Sequence, residues 1–238
     1  MEVSRTRALR GPNMWSRHTA IEAVVHCSEA ERDLSQLPGF EAQLRALFPA
    51  IGPLRPASSQ KSPISLAHVL EQATLALQAQ AGCPVTYSHT HVTSEAGTYQ
   101  VVVEYSEEDV GRMALDKAVE LLVAATQGGS FDADAVVAQL RETDEDIRLG
   151  PSTGSIVDAA VKRGIPFRRL TQGSLVQLGW GVKQRRIWAA EVDATSAVSE
   201  SIAQDKDLCK RLLQSAGVPV PTGRPVDSID DAWAAALE

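Results

Sequence analysis

The sequence predicts two unlike blocks in tandem, an α+β block over residues 1–150 followed by an α/β block over residues 151–238. Three observations lead there. The first block places strand patterns and helical stripes beside one another and closes on a hairpin, without regular strand–helix alternation. After Gly150-Pro151 the rhythm changes to helix, glycine, short strand, the turnover of an open α/β sheet. Charge segregates in parallel with that change.

Val3 to Leu9 alternates polar and apolar residues, which makes a strand with Arg5 and Arg7 on one face. It runs into Leu9-Arg10-Gly11-Pro12-Asn13-Met14-Trp15-Ser16, a turn rich in Gly, Pro and Asn. Ile21 to Cys27 reads as a second strand. Helices follow over Phe40–Leu47 and over the stripe Leu66, Val69, Leu70, Ala73, Leu77, which Gly82 closes. Pro84–Thr93 and Thr98–Tyr105 form a hairpin across Ser94-Glu95-Ala96-Gly97. Ser106 is placed to cap a helix carrying Val110, Met113, Ala114, Ala118, Leu121 and Leu122, with Asp109 three residues on. A further helix covers Ala133 to Ile147, and Gly150-Pro151 breaks it.

In the second block a helix over Thr153–Arg163 stops at Gly164. Short strands are expected over Ile165–Phe167, Ser174–Leu178 and Arg186–Glu191, and helices over Ala197–Ile202 and from Asp205 to Gly217. Gly217 suits a left-handed C-cap, and Pro219 and Pro221 forbid continuation. The last stretch, Asp230 to Glu238, is a helix with an acidic start and no stop signal, which reads as a chain cut in mid-element.

The formal net charge of −7 hides a local inversion. Ser94 to Gly150 holds thirteen acids against Arg112, Lys117, Arg141 and Arg148, whereas Val161 to Ala190 holds seven bases and no acid. The basic band can hold carboxylates or phosphates, or pair with the acidic block. Nucleic acid is not an expected partner, because no reader motif accompanies the band. Cys27, Cys83 and Cys209 form neither a disulfide framework nor a zinc pattern, which points to a reducing cytoplasm. No apolar run approaches a membrane span.

Several groups are candidates for chemistry. Lys206 stands near a helix start and can gather an anion beside free N–H groups, although spacing alone equally describes a solvated lysine. Ser152, read as the N-cap of a helix entered at Thr153, offers a carboxylate seat or an ordinary cap. Trp15, fringed by Arg10 and Arg17, is either a binding platform or an anchor for its turn. His89 and His91 share a strand face as a metal pair would, but no third ligand is near. Gly179-Trp180-Gly181 lacks the third glycine of a dinucleotide fingerprint and suits a tight turn. His18 and His68 have no nucleophile context.

Asp205-Lys206, Lys210, the leucines after it and Ala216-Gly217-Val218-Pro219-Val220-Pro221 resemble the ATP-grasp superfamily. Three strings resemble the cyanophycin synthetase family more specifically: Leu9 to Ser16, Leu149-Gly150-Pro151-Ser152-Thr153-Gly154-Ser155-Ile156-Val157, and Ser174-Leu175-Val176-Gln177-Leu178-Gly179-Trp180-Gly181-Val182-Lys183-Gln184-Arg185-Arg186-Ile187. The resemblance implies an N-terminal polymer-binding domain (1–150) and the first part of an incomplete ATP-grasp ligase domain (151–238). It implies ATP and Mg2+ as cofactors, the metal ligands lying outside this chain. The implied partners are a cyanophycin primer, L-aspartate and L-arginine, within a homo-oligomer.

In that family a polymer carboxylate is phosphorylated, aspartate attacks the acyl phosphate, and a separate C-terminal domain adds arginine. Ser152 and Thr153 would then hold the growing end, Arg10 and Trp15 the polymer, and Lys206 an ATP phosphate. No catalytic residue is assigned, and the fragment alone is expected to be inactive. The rivals are another ATP-grasp amino-acid ligase, of the glutathione synthetase or D-Ala ligase type, and a non-catalytic polymer-binding module.

Overall fold

The computed structural model describes residues 1–55 and 63–237. Its first block contains β1 (Glu2–Leu9), β2 (Ala20–His26), α1 (Phe40–Leu47), α2 (Leu66–Ala81), β3 (Ser88–Val92), β4 (Thr98–Glu104), α3 (Glu108–Gln127) and α4 (Ala133–Ile147). The strands make one antiparallel sheet in the order β1-β2-β4-β3. Side chains alternate across it. Ile21, Ala23, Val25, Tyr99, Val101 and Val103 enter a core shared with the helices. The helices all pack on that one face, so the opposite face is left to the 10–19 loop and to the strands' own polar side chains.

Helix α2 is the centre of this block and is buried around most of its circumference. Most of its buried polar groups are paired internally, Gln78 Oε1 being without a partner among the described residues. Thr74 donates to the Leu70 carbonyl at 2.8 Å, Gln78 Nε2 donates to the Glu104 carbonyl at 2.9 Å, and Glu71 accepts from Thr90 Oγ1 at 2.5 Å. Gly82 ends the helix at φ 99°, a left-handed position that glycine adopts without strain. The expected cap of α3 moves by one residue. Glu107 occupies the cap position, because the Ser106 hydroxyl is directed to Asp144 Oδ1 at 3.3 Å.

The second stretch contains α5 (Pro151–Lys162), β5 (Phe167–Arg169), β6 (Leu175–Leu178), β7 (Arg185–Trp188), β8 (Glu191–Val192), α6 (Ala197–Gln204), α7 (Lys206–Ser215) and α8 (Ile229–Leu237). Here the expectation of an open α/β sheet is corrected. The four strands form an antiparallel meander in sequence order. The connections 170–174, 179–184 and 189–190 are too short for parallel pairing, which needs a crossover of about a dozen residues. The expected third strand, Arg186–Glu191, is two strands instead, folded about Ala189 at φ 54°.

Val157, Val176 and Ile187 form a small second core, with Leu149, Ile156, Phe167 and Leu178 packed against it. Helices α6, α7 and α8 hold no buried residue. The last residue of the expected terminal helix, Glu238, lies outside the described residues. No helix among the described residues is long and apolar enough to cross a membrane.

Candidate functional sites

The turn after β1 is built around Asn13. Its side-chain oxygen accepts from the backbone N–H groups of Trp15 and Ser16, each at 3.0 Å, and its amide donates to the carbonyls of Gly11 and His18. This compact frame sends Arg10 and Trp15 in different directions. Arg10 forks onto Glu108 at the start of α3, with Nε at 2.6 Å and Nη2 at 3.3 Å. Glu108 also pairs with Arg112, and its carboxyl is held below the usual range, first by the hydrogen bond from Arg10. Arg10 is thus neutralised by an acid and does not fringe Trp15. Arg17 is exposed and has no ion-pair partner among the described residues.

Trp15 lies over the helix-free face of the sheet. Its carbonyl accepts from the Tyr87 hydroxyl at 3.1 Å, and its ring sits 4.2 Å from that of His91. His91 in turn lies 4.2 Å from His89, edge to face. The three half-buried rings form a continuous aromatic ribbon along the edge strand β3. Burial, reinforced by His89, lowers the His91 pKa, so that its ring is neutral at neutral pH. The Trp15 indole N–H is buried without a hydrogen-bond partner among the described residues. Sequence reasoning singles out Trp15 and, separately, the His pair; it does not join them. The alternation of β3 puts both histidines on one face, but the fold-back of the 10–19 loop carries no signal of its own. Among the described residues no three His, Cys, Asp or Glu are grouped as a metal site.

At the joint, the helix starts two residues before Thr153. Gly150 is the N-cap and Pro151 the first helical residue, where its missing N–H costs nothing. Ser152 is therefore not the cap. It is exposed one residue inside the helix, and no side chain caps this end. Thr153 differs from the expectation more sharply. It is 2% exposed, and its hydroxyl donates to the Ala189 carbonyl at 3.1 Å. That bond ties α5 to the strained β7–β8 turn, so the Thr153 hydroxyl is committed to the fold.

Lys206 is the first residue of α7, exposed and without a hydrogen bond or ion pair among the described residues. The helix end beside it is not a vacant anion seat. Asp205 caps it, accepting from the Leu208 N–H at 2.9 Å, and places a carboxylate where a phosphate was expected. No hydrogen bond or ion pair among the described residues joins Lys206 to the Ser152 turn. At this helix end Lys206 is thus an exposed ammonium beside the capping carboxylate of Asp205.

The basic band divides. Arg169 turns inward, bonding both oxygens of Glu107 at 3.2 and 3.1 Å and the Ile147 carbonyl at 2.6 Å. Arg185 lies 4.0 Å from Asp193. Arg168 and Arg186 are exposed and unpaired among the described residues.

Known proteins similar to this chain cover both of its sheets. A family described as cyanophycin synthase-like N-terminal domain matches residues 22–127, from the second strand to the end of α3. Proteins named cyanophycin synthetase are similar across nearly all of the chain. That of Trichormus variabilis is 34% identical over 97% of this chain, that of Geminocystis herdmanii 33% over 98%, and that of a Synechocystis species 33% over 97%. The chain spans only 27%, 29% and 28% of their respective lengths. Residues 22–127, from β2 to the end of α3, belong to the family of cyanophycin synthase-like N-terminal domains.

Proposed function

We propose that this chain is the polymer-holding and opening part of an ATP-dependent ligase that lengthens cyanophycin, an aspartate backbone with arginine on its side chains. The observation that carries this reading is the unbroken likeness to cyanophycin synthetases across 97% of the chain, through both sheets. Residues 1–150 are the polymer-binding domain, and residues 151–238 begin an ATP-grasp domain. A ligase of the glutathione synthetase or D-Ala ligase type would account for the Lys206 region, but not for the family match at residues 22–127.

The ribbon of Trp15, His91 and His89 suits guanidinium groups. Flat, half-buried rings attract a planar cation over their faces, the Trp15 indole by about 0.5–2 kcal/mol. At the joint, the uncapped start of α5 presents N–H groups and the Ser152 hydroxyl to a carboxylate. The chemistry needs such a seat, because a carboxylate must be held while it is activated. ATP with magnesium would supply that activation by phosphorylating it. From this chain only Lys206 would reach toward a phosphate, and the negative Asp205 beside it calls for further cations from the rest of the enzyme. By itself the chain makes no polymer.

Two measurements test this. The 238-residue chain is expected to be retained on immobilised cyanophycin and to incorporate no aspartate with ATP, Mg2+ and primer. Trp15→Ala or His91→Ala should weaken retention by roughly three- to ten-fold. Retention should also fall as pH drops and the His91 imidazole gains charge. Unchanged retention in both variants, or ATP-dependent elongation by this chain, would count against the proposal.

A further inference from the structure

The outer face of the second sheet has no part in the proposed function. Its register places Arg168 opposite Gln177 on β6, and Gln177 opposite Arg186 on β7. These three residues form one cross-strand row. The register and the pleat put the row on the face turned away from Val176 and Ile187, whose side chains fill the small core. Gln177 is buried between its neighbours, and its amide donates to the Gly179 carbonyl at 3.3 Å. Both arginines are exposed and lack an ion pair among the described residues. Two residues along β7 from Arg186, on the same face, stands Trp188, 65% exposed. Trp188 pairs with Leu175 on one side and Glu191 on the other. The outer face is thus a cationic row beside an apolar row with an indole on it. An open recess of about 400 Å3 adjoins Arg186, lined also by Gly181, Val182, Gln184 and Asp193.

We infer that this face is a docking platform for an extended, carboxylate-bearing peptide. The arginines stand two strands apart, roughly 9–10 Å between Cα atoms. An extended peptide of the polyproline II type has three residues per turn and advances about 3.1 Å per residue, so carboxylates three residues apart lie on one side and match that spacing, and the long arginine side chains absorb the remainder. Each guanidinium is a planar fork with the geometry to take a carboxylate on two bonds. The flat face of Trp188, in the next row, receives the flank of the peptide beside Arg186. Glu191 and Asp193 border the platform. Arg185, next in sequence, is on the opposite face and does not belong to the platform. Identifying the peptide as the growing polymer, with the carboxylates of its chain end and of its attached arginines, rests on the proposed function; the acidic-peptide platform itself does not.

The test uses the whole chain and a fluorescent hexa-aspartate probe at low salt. The double variant R168Q/R186Q should bind roughly five-fold or more weakly, and W188A measurably more weakly. R185Q should stay within about two-fold of the parent, and added salt should weaken binding. All substitutions are at exposed positions, and unchanged circular dichroism verifies the fold. The inference is overturned if the parent shows no binding up to about 1 mM probe, if the double variant binds as the parent does, or if R185Q loses as much. It is equally overturned if single-stranded DNA binds as tightly with the same arginine dependence. Retention on cyanophycin, measured in parallel, separates the two readings. Polymer retained without hexa-aspartate binding sinks the platform alone, whereas arginine-dependent hexa-aspartate binding without polymer retention sinks the polymer reading alone.

Discussion

His68 is buried at the third position of α2, where its Nδ1 receives the Ser65 N–H at 3.2 Å and lies 2.8 Å from the Ser65 hydroxyl, a reciprocal cap of the helix start. Burial first, and His89 second, push its pKa down from 6.5 to about 4. Between those two values the unfolded chain binds a proton that the folded chain refuses. The contribution of neutral His68 is therefore complete above the upper value and is lost as pH falls toward the lower one, by at most about 3 kcal/mol. His68→Gln keeps the capping geometry, since glutamine is a natural partner at this position. Urea denaturation across the acid range should show a shallower loss of stability in the variant. An unchanged slope would mean that other groups carry the acid sensitivity.

Gly111 shows how closely α3 approaches the sheet. A Cβ there would lie 2.6 Å from Tyr105 Cβ and 3.2 Å from Ile21 Cγ1. Gly111→Ala should destabilise by about 1–3 kcal/mol despite the gain in helix propensity, as a thermal melt would show. Gly154→Ala on α5 meets nothing closer than 3.6 Å and should be neutral or mildly stabilising. A sequence holds no such distances, and the same limit separates what is legible in it from what is not. Periodicity places β1, β2, the hairpin and helices α1 to α4 within a residue or two for most ends, because each has an apolar face that one core must cover. The short strands of the second sheet carry too few residues to show whether neighbours run parallel, so the meander reads as an open α/β sheet. The site residues behave likewise. Ser152 and Lys206 are on helix ends as their flanking residues require, but the Asp205 cap, the committed Thr153 hydroxyl and the meeting of Trp15 with His91 depend on chain reversals that no local pattern records.

At the scale of the molecule, Arg169 ties the second sheet to the first block through Glu107 and the Ile147 carbonyl. Burial raises the Glu107 pKa, and Arg169 opposes that rise. Arg169→Ala would leave a mostly buried carboxylate without its cation and free the Ile147 carbonyl, at a cost of about 3 kcal/mol. The expected result is faster proteolysis between residues 147 and 175 and two separable thermal transitions, with the double variant lacking both Glu107 and Arg169 recovering part of the loss. A single unchanged transition would show that the sheets hold together by other means.

The three last helices, with no residue in any interior, have a different consequence. Ile229, Trp233 and Leu237, four residues apart along α8, face water as an oily surface. Such a surface governs colloidal behaviour before it governs any chemistry. In concentrated solution the 238 residues will cling to one another through this patch, and a detergent or a chaperone will compete for it.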